Sequence, residues 1–243
     1  PPHKVYIEPF FGAGGMFFQK SKAKYNIVND LDSDVFNLFQ VVMNQKDELE
    51  KAFYMMPIHS DLLDYWKENE ETNSIKKAAR FLMLSNFGYM GKPDCMHISF
   101  NQNYTRLFNE INNFNGFSRT RILKKDFREL LESFVFQKDG RNDEAKTFIY
   151  NDPPYQNTGD NYSNSFVKQD LIDLIETNIK TGCKFAISEF DTDVVLELAA
   201  EYNLEVITIG ERKNLKNRRT EILIVNYESP ALYGLFSANN FAV

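Results

Sequence analysis

Cysteine and histidine are scarce. Cys95, Cys183, His3, His59 and His97 are the whole set in 243 residues, and none stands at a metal-ligand spacing. The pattern disfavours a zinc site and a disulfide framework, and a reducing cytoplasm fits. Long apolar runs are missing too. None reaches the ~20 residues of a membrane span, and no signal peptide stands at the start. Positive charge is not in excess, since 28 Lys and Arg face 34 Asp and Glu, a net charge of −6. That balance disfavours a general nucleic-acid coat but leaves room for a local basic face. There is no internal repeat and no low-complexity tail. Aromatic rings are plentiful, with 22 Phe and 12 Tyr, and some can serve as stacking surfaces. The length suits one large domain, or one domain with a sizeable insertion.

The chemistry centres on Asn151-Asp152-Pro153-Pro154-Tyr155. Thr147 to Tyr150 before it is a short β-branched and aromatic run, the pattern of a buried strand. Two prolines remove two N–H donors and stiffen the backbone, leaving carbonyls free. The Asp152 carboxylate, the Pro153 carbonyl and the flat ring of Tyr155 then suit a planar ligand with an exocyclic amine. A lone Asp-Pro-Pro is more often a turn that ends a strand. The upstream sequence shifts the balance.

There, Val5 to Phe10 reads as a strand that runs into Phe11-Gly12-Ala13-Gly14-Gly15, with a helix starting at Met16 to Phe18. Strand, glycine turn and helix let a backbone approach a nucleotide-like ligand closely. Tyr25 to Asn29 reads as a second strand, and Asp30 closes it 15 residues past Gly15. An acid at that place accepts hydrogen bonds from ribose hydroxyls in doubly wound sheets. Helix capping is the other reading of Asp30, but Asp32 or Ser33 can fill that role. The following helix carries Val35, Leu38, Phe39, Val42 and Met43 at core spacing.

From about Glu48 the character changes. Helical patterns cover Ser60 to Glu70 and Ser74 to Asn86. Gly88 to Pro93 breaks the second, and Met96 to Phe100 looks like one arm of a hairpin. Asn101 to Asn115 is rich in amides and holds Arg106. Amides can pair with base edges, and Arg or Lys with phosphates or guanine. The α/β pattern returns with strands at Arg121 to Leu123, Thr147 to Asn151, Lys184 to Phe190, Leu204 to Ile209 and Glu221 to Tyr227. Gln137 to Lys146 reads as a loop. Helices are expected at Gln169 to Lys180 and Asp191 to Tyr202. Arg212, Lys213, Lys216, Arg218 and Arg219 form a dense basic loop on an acidic chain, and we read it as phosphate-contacting.

Phe10-x-Gly12-x-Gly14 after one strand and Asp-Pro-Pro-Tyr after a later one resemble the amino-methylating DNA methyltransferases. The Asn29-Asp30 strand end, the helical insertion and Glu221 to Tyr227 resemble the DNA adenine methylase branch. The resemblance implies an α/β, Rossmann-like S-adenosylmethionine-dependent methyltransferase sheet over 1–50 and 120–243. It implies an inserted, mainly helical target-recognition domain over 51–119. By the same resemblance Glu8, Phe10, Phe11, Gly12, Ala13, Gly14, Gly15, Asp30, Asp126, Phe127 and Asp152 bind the cofactor. Asp152, Pro153, Pro154 and Tyr155 hold the target adenine, with no metal. Lys92, Asn101, Arg106 and the five basic residues from Arg212 to Arg219 are the expected contacts to double-stranded DNA. The expected protein is a cytoplasmic monomer, with a restriction endonuclease as candidate partner. Cytosine N4 and RNA remain alternative acceptors, and a DNA-binding module without activity remains an alternative class. The chain departs from the family pattern twice. The Lys-bearing segment that precedes the first strand in other members is trimmed or missing before Pro1. No Arg follows the Gly88-Tyr89 turn, so a GATC target is not carried over.

Overall fold

The computed structural model describes residues 1–12, 14–56, 60–89, 92–96, 109, 111, 116–138, 141–155, 166–213 and 218–228. Along the chain run β1 (Val5–Glu8), α1 (Gly15–Gln19), β2 (Tyr25–Asn29), α2 (Ser33–Asn44), α3 (Lys46–Met55), α4 (Ser60–Glu68) and α5 (Ser74–Phe87). Then come β3 (Gly88–Tyr89), β4 (Lys92–Met96), β5 (Thr120–Leu123), α6 (Phe127–Glu132), β6 (Gln137–Lys138), β7 (Arg141–Asn142) and β8 (Thr147–Asn151). The last are α7 (Lys168–Thr181), β9 (Lys184–Phe190), α8 (Asp193–Glu201), β10 (Glu205–Lys213) and β11 (Arg218–Val225).

The main sheet has seven strands in the order β10-β11-β9-β8-β1-β2-β5. β2, β1, β8 and β9 are parallel, and β11 runs antiparallel between β9 and β10. Strands β1, β8 and β9 are largely buried on both faces, so they read as mainly apolar runs rather than alternating ones. Ile7, Ile149, Phe185 and Ile187 are fully covered. Each such side chain contributes about 1.5–3 kcal/mol of transfer free energy. Helices connect the parallel strands, as parallel pairing requires.

Two compact units divide the chain. One comprises Pro1–Phe11, Ser21–Val28 and Lys125–Val243, the other Gly12–Lys20 and Asn29–Lys124. In the first, α7 buries Leu171, Leu174 and Ile175 and ends at Gly182, whose φ of 68° is the left-handed cap glycine favours. A Cβ there would come within 2.9 Å of the Glu144 carboxyl carbon. The second unit has its own core, built from Leu38, Leu49, Phe53, Trp66, Ala79 and Met83.

Several sequence expectations need correction. Met43 lies at the end of the α2 stripe and is 48% exposed. Helix α3 lies where no helical pattern stood out. Only Leu49 and Phe53, four residues apart, anchor it. The stretch Gln137 to Lys146 is not a plain loop, since β6 and β7 pair within it and a 3-10 turn spans Glu144–Lys146. Four of the basic residues expected in a loop extend the β10–β11 hairpin, with Arg212 opposite Arg219 and Lys213 opposite Arg218.

Candidate active site

The parallel strands leave their chain order at one place. β2 lies to one side of β1, while β8 and β9 lie to the other. The carboxyl ends of β1 and β8 are neighbours there, and such a switch point is where open α/β sheets bind ligands. Glu8 ends β1 and Asp152 follows β8. Glu8 is 2% exposed and accepts a hydrogen bond from the Tyr6 hydroxyl at 2.8 Å. Asn151 is fully buried, and its amide donates to Asn178 Oδ1 at 3.3 Å and to the Ala186 carbonyl at 3.2 Å. This pins the end of β8 to β9 and α7.

Asp152 itself is exposed, Pro153 is buried, and Pro154 and Tyr155 are half-buried. The Tyr155 hydroxyl donates to Glu221 Oε1 at 2.8 Å and lies 2.9 Å from Ser188 Oγ. Its ring meets Phe190 edge to face at 4.6 Å between centroids. The Arg219 guanidinium lies 5.1 Å from the centre of the Phe190 ring. Burial and then the Asp152 charge hold the Tyr150 and Tyr155 hydroxyls far above the usual phenol range. Burial and the Glu8 carboxylate do the same for Tyr6. All three tyrosines are therefore donors at neutral pH.

A second cluster lies in the same unit. Phe10 packs on Phe127 at 5.4 Å and on Phe166 at 6.0 Å. Asp126 caps α6 by accepting the Arg128 N–H at 2.9 Å. The Arg128 guanidinium sits 4.3 Å from the Phe127 ring centre and binds Asp173 at 2.7 Å and Asp170 at 2.5 Å. Partial burial pulls the Arg128 pKa down, but the bonds to Asp170 and Asp173 outweigh it and hold it high. Asp173 is held below the usual carboxylate range by its bonds to Gln169 and Arg128. Arg128→Met is expected to lower the melting temperature at pH 7, because three carboxylates lose their shared cation. The pairs are partly solvated, so the loss is about 1 kcal/mol. A depressed carboxylate pKa stabilises the fold above its unfolded value, near 3.9, and the effect fades as pH falls through the folded value. The gap between variant and wild type should therefore close below about pH 4 in melts taken across pH.

In the other unit the glycine turn stands as expected. Gly12 and Gly14 have φ of 48° and 74°, a region that side chains rarely adopt, and α1 starts at Gly15. Asp30 Oδ2 accepts the Gly12 N–H at 2.7 Å, and Asp30 Oδ1 accepts the Asp32 N–H at 2.9 Å. The α2 cap falls to Asp32, which accepts the Asp34 N–H at 2.7 Å. Asp30 thus fixes the turn rather than the helix. Among the described residues, a Cβ on Gly12 or Gly15 would meet nothing within 4 Å. Ala13 lies outside the described residues.

The family model of the D12 class N6 adenine-specific DNA methyltransferases matches residues 1–214. The chain belongs to this family. It is 25% identical over 269 residues to Type II methyltransferase M.MjaIII of Methanocaldococcus jannaschii, across 92% of this chain and 89% of that protein. It is 22% identical to Type II methyltransferase M1.LlaDCHI of Lactococcus lactis subsp. cremoris, across 91% and 86%. It is 25% identical to the DNA adenine methylase of Escherichia coli (strain K12), across 86% and 80%. As a D12 class member the protein is a DNA adenine methyltransferase, and DNA is its substrate. Among the described residues, no helix is long and apolar enough to cross a membrane, and no cluster could hold a metal ion.

The expected DNA contacts of this D12 class enzyme are only partly visible. Lys92 lies on β4, and Arg212, Lys213 and Arg218 on the hairpin, with side chains outside the description. Asn101, Arg106 and Lys216 lie outside the described residues altogether. Phe11 is a core residue at 4% exposure. Ser188, Phe190 and Arg128 were not picked out by sequence reasoning, and Glu221 entered only as part of a resembling segment. Their roles depend on which strands adjoin, and no local pattern signals that.

Proposed function

We propose that the protein transfers a methyl group from S-adenosylmethionine to the N6 amine of an adenine extruded from duplex DNA at a specific site. The observation that carries this reading is Asp152, an exposed carboxylate after a buried strand, beside a tyrosine ring fixed at its hydroxyl. The residues fit the cofactor. Among the described residues nothing lies within 4 Å of a Cβ on Gly12 or Gly15, and Asp30 holds the glycine turn while offering an acid for ribose hydroxyls. By the family resemblance Asp126 and Phe127 would lie beside the cofactor's adenine, and Glu8 and Phe10 are further expected contacts. S-adenosylmethionine supplies an electrophilic sulfonium methyl group, so no metal is required.

The protein's own work is on the target base. Adenine N6 is a weak nucleophile because its lone pair is delocalised into the ring. The Asp152 carboxylate and the Pro153 carbonyl accept the two N6 hydrogens and favour a more tetrahedral nitrogen. Tyr155 stacks on the extruded ring and excludes water. Catalysis is mainly positioning and electrostatic stabilisation, and a paired base must leave the duplex to reach such residues. Labelled methyl transfer from S-adenosylmethionine to duplex DNA, followed by nucleoside analysis, tests the reading. Label in N6-methyl-2′-deoxyadenosine is expected, and label in N4-methyl-2′-deoxycytidine would replace the acceptor.

Recognition is assigned to the insertion over 51–119, including Lys92, Asn101 and Arg106, and to the basic hairpin. Like charges directly opposite in a hairpin destabilise it, so the Arg212–Arg219 and Lys213–Arg218 pairs favour a bound polyanion. Neutralising Arg218 and Arg219 should weaken binding to all duplex sequences alike. It should also reduce the slope of log K against log salt by about 2, at roughly 0.9 per phosphate contact. An unchanged slope in a binding titration would remove the hairpin from the interface. The likeness to relatives named Type II methyltransferases makes a restriction endonuclease the proposed partner of a monomeric enzyme.

A further inference from the structure

We propose that Ser188 and Glu221 are positioning residues that hold the Tyr155 ring in the attitude that receives the target base. The inference rests on the reading of Tyr155 as the stacking platform.

The argument starts from strand register. In the antiparallel β9–β11 pair, Glu221 is opposite Phe190 and Leu223 is opposite Ser188. Alternation along a strand puts Ser188, Phe190 and Glu221 on one face of the sheet. Tyr155 reaches that face with both its ends. Its hydroxyl lies 2.8 Å from Glu221 Oε1 and 2.9 Å from Ser188 Oγ, and its ring packs edge to face on Phe190. Ser188 Oγ is itself 3.4 Å from Glu221 Oε1, so the three oxygens lie together, and the Tyr150 hydroxyl also bonds Ser188.

The chemistry of the group is directional. Tyr155 stays protonated and donates its O–H hydrogen bond to Glu221, so the phenol oxygen is left as an acceptor for the Ser188 hydroxyl. Ser188 is 1% exposed, and a hydroxyl so buried needs a partner. A carboxylate at this place adds nothing to apolar packing and costs desolvation. The Tyr155 hydroxyl offsets part of that cost, and its contacts to Glu221 and Ser188 fix the far end of the phenol. A ring held at its hydroxyl and along its edge has little freedom to swing, while its half-buried state leaves part of it within reach of a ligand. Such preorganisation acts on the rate of the bound complex rather than on its formation.

The test is a double-mutant cycle in single-turnover methyl transfer to a long unmethylated duplex DNA at saturating S-adenosylmethionine. Tyr155→Phe and Glu221→Ala should each slow transfer about tenfold, the size of one charge-assisted hydrogen bond. The dissociation constants for cofactor and DNA should stay within about twofold. The double variant should be no slower than the slower single one, because both changes remove the same contact. Glu221→Gln keeps an acceptor oxygen and should recover most of the rate, and Ser188→Ala should give a partial loss. Melting curves within a few degrees of wild type confirm folding, and Ser188→Ala carries the test if Glu221→Ala does not fold. Losses that multiply in the double variant, or a Glu221→Gln as slow as Glu221→Ala, would overturn the proposal. Tyr155→Ala separates the two levels. A wild-type rate there would remove the platform itself, whereas a large loss there with no effect of Tyr155→Phe or Glu221→Ala would remove only the positioning role.

Discussion

Asp152→Asn is expected to slow methyl transfer by roughly 10²–10³-fold, the usual effect of losing one preorganised electrostatic group at a reacting centre. The substitution keeps the size and shape of the side chain. It removes the negative charge and turns one acceptor into an N–H donor that faces the N6 hydrogens. Asp152 is exposed after β8, so the change should not disturb the core. Its charge also contributes to keeping Tyr150 and Tyr155 protonated, but burial alone favours the neutral phenols, so both remain donors. Cofactor affinity should change little. Single-turnover rates and calorimetric binding of S-adenosylmethionine, measured on the same preparation, check both halves. A variant that turns over at the wild-type rate would remove the carboxylate from the chemistry.

Asp30→Ala should weaken S-adenosylmethionine binding by more than one lost contact implies. A charge-assisted hydrogen bond to a ribose hydroxyl is worth about 1.5–3 kcal/mol, or roughly 10–150-fold in affinity. The same carboxylate holds the Gly12 N–H at 2.7 Å and the Asp32 N–H at 2.9 Å. Its removal frees the glycine turn as well, and the turn must be re-ordered each time the cofactor binds. Asp30→Asn retains one acceptor and should fall between the two. Unchanged calorimetric affinity in Asp30→Ala would take the residue out of the cofactor site, and a lowered melting temperature alone would leave it only the turn.

The sequence was most legible where one signal sufficed. β1 and β8 are short, mainly apolar runs buried on both faces, and α2, α5 and α7 show helical spacing over three turns or more. The glycine turn was legible because left-handed positions favour glycine. Helix α3 was hidden because Lys46–Met55 buries only Leu49 and Phe53. The far half of the β10–β11 hairpin was hidden because Gly210 to Lys213 is polar, and cross-strand pairing rather than composition makes it a strand. Asp126, an expected cofactor contact, caps α6, which no spacing reveals. Ser188 and Glu221 lie 33 residues apart, and only the strand register makes them neighbours.

The place of β11 in the sheet has a consequence for synthesis on the ribosome. β9 and β10 are both made before β11, yet each pairs with β11 and not with the other. Until residues 218–225 have emerged, β9 presents a buried-type apolar strand with an open edge, the feature most prone to wrong pairing between chains. Glu221 is on that same late strand. A nascent chain can therefore form the parallel strands and still lack both its closed sheet and the carboxylate that holds Tyr155. Slow translation across this stretch should raise aggregation, and a chaperone that shields strand edges should act before β11 is released.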